Sequence, residues 1–293
     1  MRIQGTLTAL YTPMTSAGEV DYDAYTALCE RLIAAGSGLV ACGTTGETPA
    51  LTPAEYERLV RRAVEVAGDR VPVLAGTGVS STHKTIELTQ LARRLGADGA
   101  LVVTPPYNKP PQASLRAHFR AIADEGGLPI LLYNVPSRTG CNLAAATACE
   151  LGQDPRFLGV KEAAGSLAQV EALVAGAPEG FAILSGDDSM AFTMIALGAH
   201  GLVSVAGNVA SREVVQLVDL ARRGELAAAR AQHNRLRPLF EALFLTPSPS
   251  PVKRAAAMLG HAREHVRMPL TADAIDDKIE EALRHGLHQA GLL

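Results

Sequence analysis

Short apolar runs rich in β-branched residues return along the chain roughly every 25 to 30 positions. They cover residues 6–11, 38–42, 71–75, 100–104, 129–134, 158–161, 181–185 and 202–205. Each is almost continuously hydrophobic, as expected of parallel strands buried on both faces. The segments between them have helical period. The clearest is Pro53–Ala67, where Leu59, Val60, Ala63, Val64 and Ala67 repeat at the i, i+3, i+4 spacing. Thr52 and Glu55 form a capping box ahead of it, with Pro53 at the first helical position. Residues 21–35 and 211–223 read the same way.

Eight such strand–helix units fit within residues 1–224, a count and length that suit a closed (β/α)8 TIM barrel of typically ~250 residues. The alternative, an open doubly wound sheet, usually carries Gly-x-Gly-x-x-Gly after its first strand. Here the first strand runs into Tyr11-Thr12-Pro13, and Gly76-Thr77-Gly78 lacks a third glycine and reads as a turn. After Arg223 no strand signal returns. Residues 225–245, 252–259 and 271–289 look helical around the proline-rich 246–251. The expected division is a barrel over 1–224 and a small C-terminal helical region over 225–293.

Composition narrows the function classes. Hydrophobic residues make up 47% of the 293, enough for a sizeable core. Net charge is −3, and no Lys/Arg run exceeds two residues, which argues against a nucleic-acid partner. The first residues lack the long apolar stretch of a signal peptide, and no apolar run approaches the ~18 residues of a membrane span. Cys29, Cys42, Cys141 and Cys149 show no Cys-x-x-Cys spacing, so free thiols in a reducing cytoplasm are expected.

In a β/α barrel the chemistry sits at the C-terminal strand ends. Strand two runs into Gly43-Thr44-Thr45-Gly46-Glu47, strand four into Pro105-Pro106-Tyr107-Asn108, and strand five delivers Tyr133 and Asn134 ahead of Pro136-Ser137-Arg138-Thr139-Gly140. Strand six delivers Lys161-Glu162, and strand seven runs into Gly186-Asp187-Asp188.

Lys161 follows Leu158-Gly159-Val160 on an otherwise apolar strand. A buried ammonium is costly unless paired. Either a carboxylate such as Glu162 pairs with it, or desolvation favours the neutral amine, which is nucleophilic toward carbonyls. The other lysines compete poorly: Lys84 and Lys278 lie in polar helical settings, Lys109 in a loop, and Lys253 beyond the barrel. Imine chemistry needs a proton relay, and Thr45, Tyr107 and Tyr133 can supply one without adding charge. Tyr133 could equally be a barrel aromatic and Thr45 a turn residue. Residues 43–46 could also form a nest of backbone N–H groups for a carboxylate, and the fork of Arg138 suits bidentate carboxylate binding.

Two patterns suggest metals and are set aside. His261-Ala262-Arg263-Glu264-His265 matches a zinc pattern that needs a helix, yet Gly260 reads as a helix C-cap and Pro269 follows. Asp187-Asp188 reads as a turn and helix N-cap. No metal and no cofactor is expected.

Together, Gly43-Thr44-Thr45-Gly46-Glu47, Tyr133-Asn134-Val135-Pro136-Ser137-Arg138-Thr139-Gly140, Lys161-Glu162-Ala163 and Ser185-Gly186-Asp187-Asp188 closely resemble the dihydrodipicolinate synthase (4-hydroxy-tetrahydrodipicolinate synthase) family, from about Gly5 to the C-terminus. The resemblance implies a lyase that condenses pyruvate with L-aspartate 4-semialdehyde, the first committed step toward diaminopimelate and lysine. It assigns Lys161 the Schiff base, and Thr45, Tyr133 and Tyr107 the proton relay, with Thr44 supporting them. It gives the pyruvate carboxylate to the Thr45 N–H and that of the semialdehyde to Arg138. Main-chain carbonyls of Gly186 and Val203 would flank the lysine. A homotetramer built as a dimer of dimers is implied, with Tyr107 shared across a dimer interface.

The chain departs from the family at Pro106, where an aromatic often precedes the tyrosine, and at 246–253, which lacks the Glu and Asn of Glu-x-Asn-Pro-x-Pro-Val-Lys. The inhibitor pocket of lysine-regulated members corresponds to Pro53, Tyr56, Ser80 and Lys84. A cation at 84 predicts weak or absent lysine feedback. A sister aldolase acting on a sugar acid or hydroxy-oxo acid, and a non-catalytic keto-acid-binding paralogue, are the competing readings.

Overall fold

A computed structural model describes residues 3–293; the first two positions of the barrel segment expected over 1–224 lie outside it. All eight expected strands form: β1 (Gly5–Ala9), β2 (Gly38–Ala41), β3 (Val73–Gly76), β4 (Gly99–Val103), β5 (Ile130–Asn134), β6 (Phe157–Glu162), β7 (Ala182–Ser185) and β8 (Gly201–Ser204). They pair in parallel in chain order, and β8 closes on β1. The first strand ends earlier than its apolar run because the Tyr11 amide leaves the ladder and donates to Asn208 Oδ1.

Around the barrel run α1 (Tyr22–Ala34), α2 (Pro53–Ala67), α3 (Thr82–Arg94), α4 (Gln112–Glu125), the short α5 (Pro136–Thr139) and α6 (Ala145–Leu151), then α7 (Leu167–Gly176), α8 (Ala191–Ala196) and α9 (Ser211–Arg222). Helix α2 has the expected bounds and both halves of its capping box: Glu55 N donates to Thr52 Oγ1, and Thr52 N donates to Glu55 Oε2. Beyond the barrel follow α10 (Leu226–Ala242), α11 (Ser250–Met258) and α12 (Asp277–Gln289).

Strand alternation splits the apolar residues into two sets. Leu7, Val40, Leu74, Leu101, Leu131, Tyr133, Leu184 and Val203 fill the barrel interior. Leu39, Val73, Val102, Leu132, Val160 and Ile183 face outward into the layer of helices. The interior is thus a packed core, and the polar groups at the strand ends form its lid.

Candidate active site

Strand β6 delivers its lysine through an irregularity. Ile130 pairs with Phe157 but Leu131 pairs with Gly159, so Leu158 is an extra residue in the ladder. Such a bulge moves every later side chain to the opposite face. Leu158 faces the interior and Val160 the helices, and Lys161 then falls opposite the inward-facing Tyr133. The bulge needs glycine at 159, where a Cβ would stand 2.0 Å from the Ala182 carbonyl oxygen.

Lys161 is 5% exposed, and its Nζ lies 4.2 Å from the Tyr133 ring centroid. Glu162 points the other way. Its carboxylate accepts from Asn134 Nδ2, Gln169 Nε2 and the Ala164 amide, at 3.0, 2.7 and 2.6 Å. Burial raises the Glu162 pKa, with those donors pulling against it. The ion pair that the sequence left open is therefore absent: Glu162 is held by other donors, and Lys161 makes no salt bridge among the described residues.

Gly186 leaves room for the lysine: a Cβ there would meet Lys161 Cε at 3.0 Å and Cγ at 3.1 Å. Val203 lies on β8 and packs in the barrel interior. Thr44 and Thr45 begin a single 3-10 turn, Thr44–Gly46, which follows β2 after Cys42 and Gly43. The Gly46 and Glu47 amides are consumed by the turn, donating to Gly43 O and Thr44 O. The Thr44 and Thr45 amides donate to no backbone carbonyl among the described residues. Thr45 is buried, and the exposed Thr44 lines the adjoining cavity.

That cavity, about 620 Å³, runs from Tyr133, Arg138 and Thr44 to Pro53, Tyr56 and Ser80. Arg138 sits exposed on α5, which Pro136 starts and Gly140 ends in the left-handed conformation. Tyr107 is not brought into this assembly. It is 90% exposed with φ +74°, a strained value for a tyrosine. Lys84 is exposed and bonded to Glu87 at 2.7 Å, outside the cavity lining.

Several polar residues take roles that the sequence did not suggest. Asp187 makes the expected turn by accepting from Ser189 N at 2.8 Å. Asp188, however, does not cap its own helix. Its carboxylate reaches across to β8 and accepts from Ser204 Oγ and the Val205 and Ala206 amides. Complete burial pushes its pKa up to about 6, against those bonds. Lys253, set aside as lying beyond the barrel, is 0% exposed and ion-paired with Glu47 at the end of the Thr44–Gly46 turn. Burial lowers the Lys253 pKa, and Glu47 beside it opposes that shift. The signal was present in Val252, Ala255 and Ala256, which put an apolar face around it. Residues 261–265 are not helical, so the spacing of the two histidines does not put them on one helix face; the His265 carbonyl accepts from Lys253 Nζ instead. All four cysteines are free and buried. Among the described residues no helix is long and apolar enough to cross a membrane.

A profile of the Dihydrodipicolinate synthetase family matches residues 2–290. The 4-hydroxy-tetrahydrodipicolinate synthase of Symbiobacterium thermophilum is 45% identical over 289 residues, covering 98% of each chain. The crystal structure of a dihydrodipicolinate synthase from Thermotoga maritima superposes with a TM-score of 0.97 at 38% identity, over 100% of both chains. A chloride-inhibited dihydrodipicolinate synthase from Acinetobacter baumannii, solved with pyruvate, matches with a TM-score of 0.96 at 39% identity, over 99% of this chain and 100% of that one.

Proposed function

The chain belongs to the dihydrodipicolinate synthetase family, and on that footing we propose that it condenses pyruvate with L-aspartate 4-semialdehyde in the 4-hydroxy-tetrahydrodipicolinate synthase reaction. The observation that carries this reading is a buried lysine amine over the ring of Tyr133, with no salt bridge to it among the described residues.

The Lys161 amine attacks the keto carbon of pyruvate, and water leaves to give the imine. Loss of a methyl proton gives the enamine, whose carbon attacks the aldehyde carbon of the second substrate. The new alkoxide takes a proton. The semialdehyde's own amine then attacks the imine carbon, closing the ring and expelling Lys161. Each step moves a proton, and Thr45, Tyr133 and Tyr107 form the relay, with Thr44 supporting it. The open Thr45 amide receives the pyruvate carboxylate. Arg138, with its fork in solvent at the cavity rim, receives that of the semialdehyde. The Gly186 and Val203 carbonyls flank the lysine.

Tyr107 enters from a neighbouring subunit of a homotetramer arranged as a dimer of dimers. Its exposure and positive φ support this role, because strain at an exposed tyrosine is unrewarded in a lone subunit. The barrel over 1–224 carries the chemistry and the helical region over 225–293 supports it. Free buried thiols fit a cytoplasmic location.

The test is borohydride reduction in the presence of pyruvate, followed by peptide mass spectrometry. A pyruvate adduct on Lys161 is expected. An adduct on another lysine, or on none, sinks the mechanism.

A further inference from the structure

Glu47 closes the turn that carries Thr44 and Thr45, and its own backbone is left-handed, with φ +56° and ψ +33°. Glutamate rarely adopts that conformation without support. Here both of its carboxylate oxygens are held. One meets Lys253 Nζ, and the other accepts the Arg267 amide at 2.8 Å. Lys253 is fixed in turn by the His265 carbonyl at 2.7 Å. The Arg267 side chain grips the same stretch of chain further on, bonding the Ala50 carbonyl and Glu55. Every one of these groups on the far side comes from beyond the barrel, from α11 and the segment after it.

From this arrangement we infer that Lys253 and Glu47 are positioning residues for the pyruvate end of the site: the C-terminal region holds Glu47, and Glu47 holds the Thr44–Thr45 turn. A fully buried ion pair is a poor way to gain stability alone, because two well-packed apolar side chains serve as well or better. What the pair adds is direction. If the Glu47 side chain lets go, its backbone relaxes out of the left-handed region. The Glu47 amide then leaves Thr44 O, and the Thr45 amide and hydroxyl move with the turn. Arg138 stands on α5, on a different loop, and owes nothing to this contact. The pair therefore tunes one substrate's subsite and leaves the other alone.

This inference rests on the proposed reaction, and the experiment separates the two. Three variants are compared with wild type: Glu47→Asp, Lys253→Met and the double variant Glu47→Gln/Lys253→Met. The double variant removes both charges together, and Glu47→Asp keeps both while drawing the carboxylate back by one methylene. Folding is checked by circular dichroism and Tm. The expected result is a rise of about tenfold or more in KM for pyruvate, with a lower kcat and with KM for the semialdehyde within about twofold of wild type. The pyruvate concentration giving half-maximal borohydride trapping of Lys161 should rise in parallel. A purely structural pair would lower Tm without moving these constants in the folded protein. Should Lys253→Met or the double variant fail to fold, Glu47→Asp decides. Pyruvate constants within twofold of wild type in the folded variants overturn the positioning role. A wild-type protein that does not turn over the two substrates instead sinks the reaction; the trapping titration still reads the coupling.

Discussion

Lys161 lies opposite Tyr133 because Leu158 is an extra residue in the β5–β6 ladder. With unbroken alternation from Leu158, the carboxylate of Glu162 would have entered the barrel and the lysine would have faced the helices. Gly159 permits the bulge, since a methyl group there has nowhere to go beside the Ala182 carbonyl. Gly159→Ala should therefore cost several kcal/mol of stability and abolish pyruvate trapping in whatever protein folds. Thermal melts together with the trapping assay check this, and a variant with wild-type Tm and wild-type trapping would refute the bulge's role.

Gly186→Ala tests the packing around the lysine stem more gently. The added methyl would press on Lys161 Cε and Cγ and on Ala163 Cβ at 2.8 Å. The flexible lysine gives way first, so its amine leaves the Tyr133 ring. We expect kcat/KM for pyruvate to fall by about tenfold or more, equivalent to roughly 1.4 kcal/mol, with only a modest loss in Tm. Steady-state kinetics at fixed semialdehyde concentration reads it directly.

A tyrosine shared between subunits has a signature in mixed oligomers. Tyr107→Phe and Lys161→Ala should each be nearly inactive alone. Co-expressed and assembled at random, half the dimers would pair one of each, with one intact site in two, and activity should recover to about a quarter of wild type. Recovery indistinguishable from zero would place Tyr107 outside the shared site.

Lysine at millimolar concentration should inhibit weakly or not at all. The family resemblance implies a carboxylate at position 84 for the inhibitor's amine; this chain has Lys84 there, exposed and bonded to Glu87. Strong inhibition of the purified protein by millimolar lysine would contradict this.

Asp188 makes a pH-dependent contribution whose sign is fixed by its raised pKa. The unfolded carboxyl titrates near 3.8 and the folded one near 6, so between those values the folded state binds more protons. Its contribution to stability is present at low pH and is lost as pH rises from about 4 to about 6, to an extent of at most roughly 3 kcal/mol. Relative to Asp188→Asn, wild type should thus lose Tm between pH 4 and pH 7. Parallel Tm profiles for the two proteins over that range would rule it out.

The fold was largely legible in the chain because both of its signals are local. Near-continuous apolar runs and the capping box of Thr52 and Glu55 need no knowledge of distant residues, and their count and spacing give the barrel. The strand-end rule then assembled Thr45, Tyr133, Arg138 and Lys161 from positions far apart in sequence. It misjudged contacts whose two halves come from different elements. Asp188 looked like a cap for its own helix and instead holds β8. Lys253 looked peripheral, yet it is buried against Glu47, more than two hundred residues earlier in the chain.

The sequence by itself determined the eight-unit architecture, the candidate nucleophile and the company it keeps at the strand ends. The tertiary structure decided which way that nucleophile faces. Lys161 and Glu162 are neighbours on one strand, and pattern alone left them free to pair. A single extra residue in the ladder decides which of the two enters the barrel and which faces the helical layer. That phase shift is a property of how β6 pairs with β5, and no periodicity within β6 encodes it.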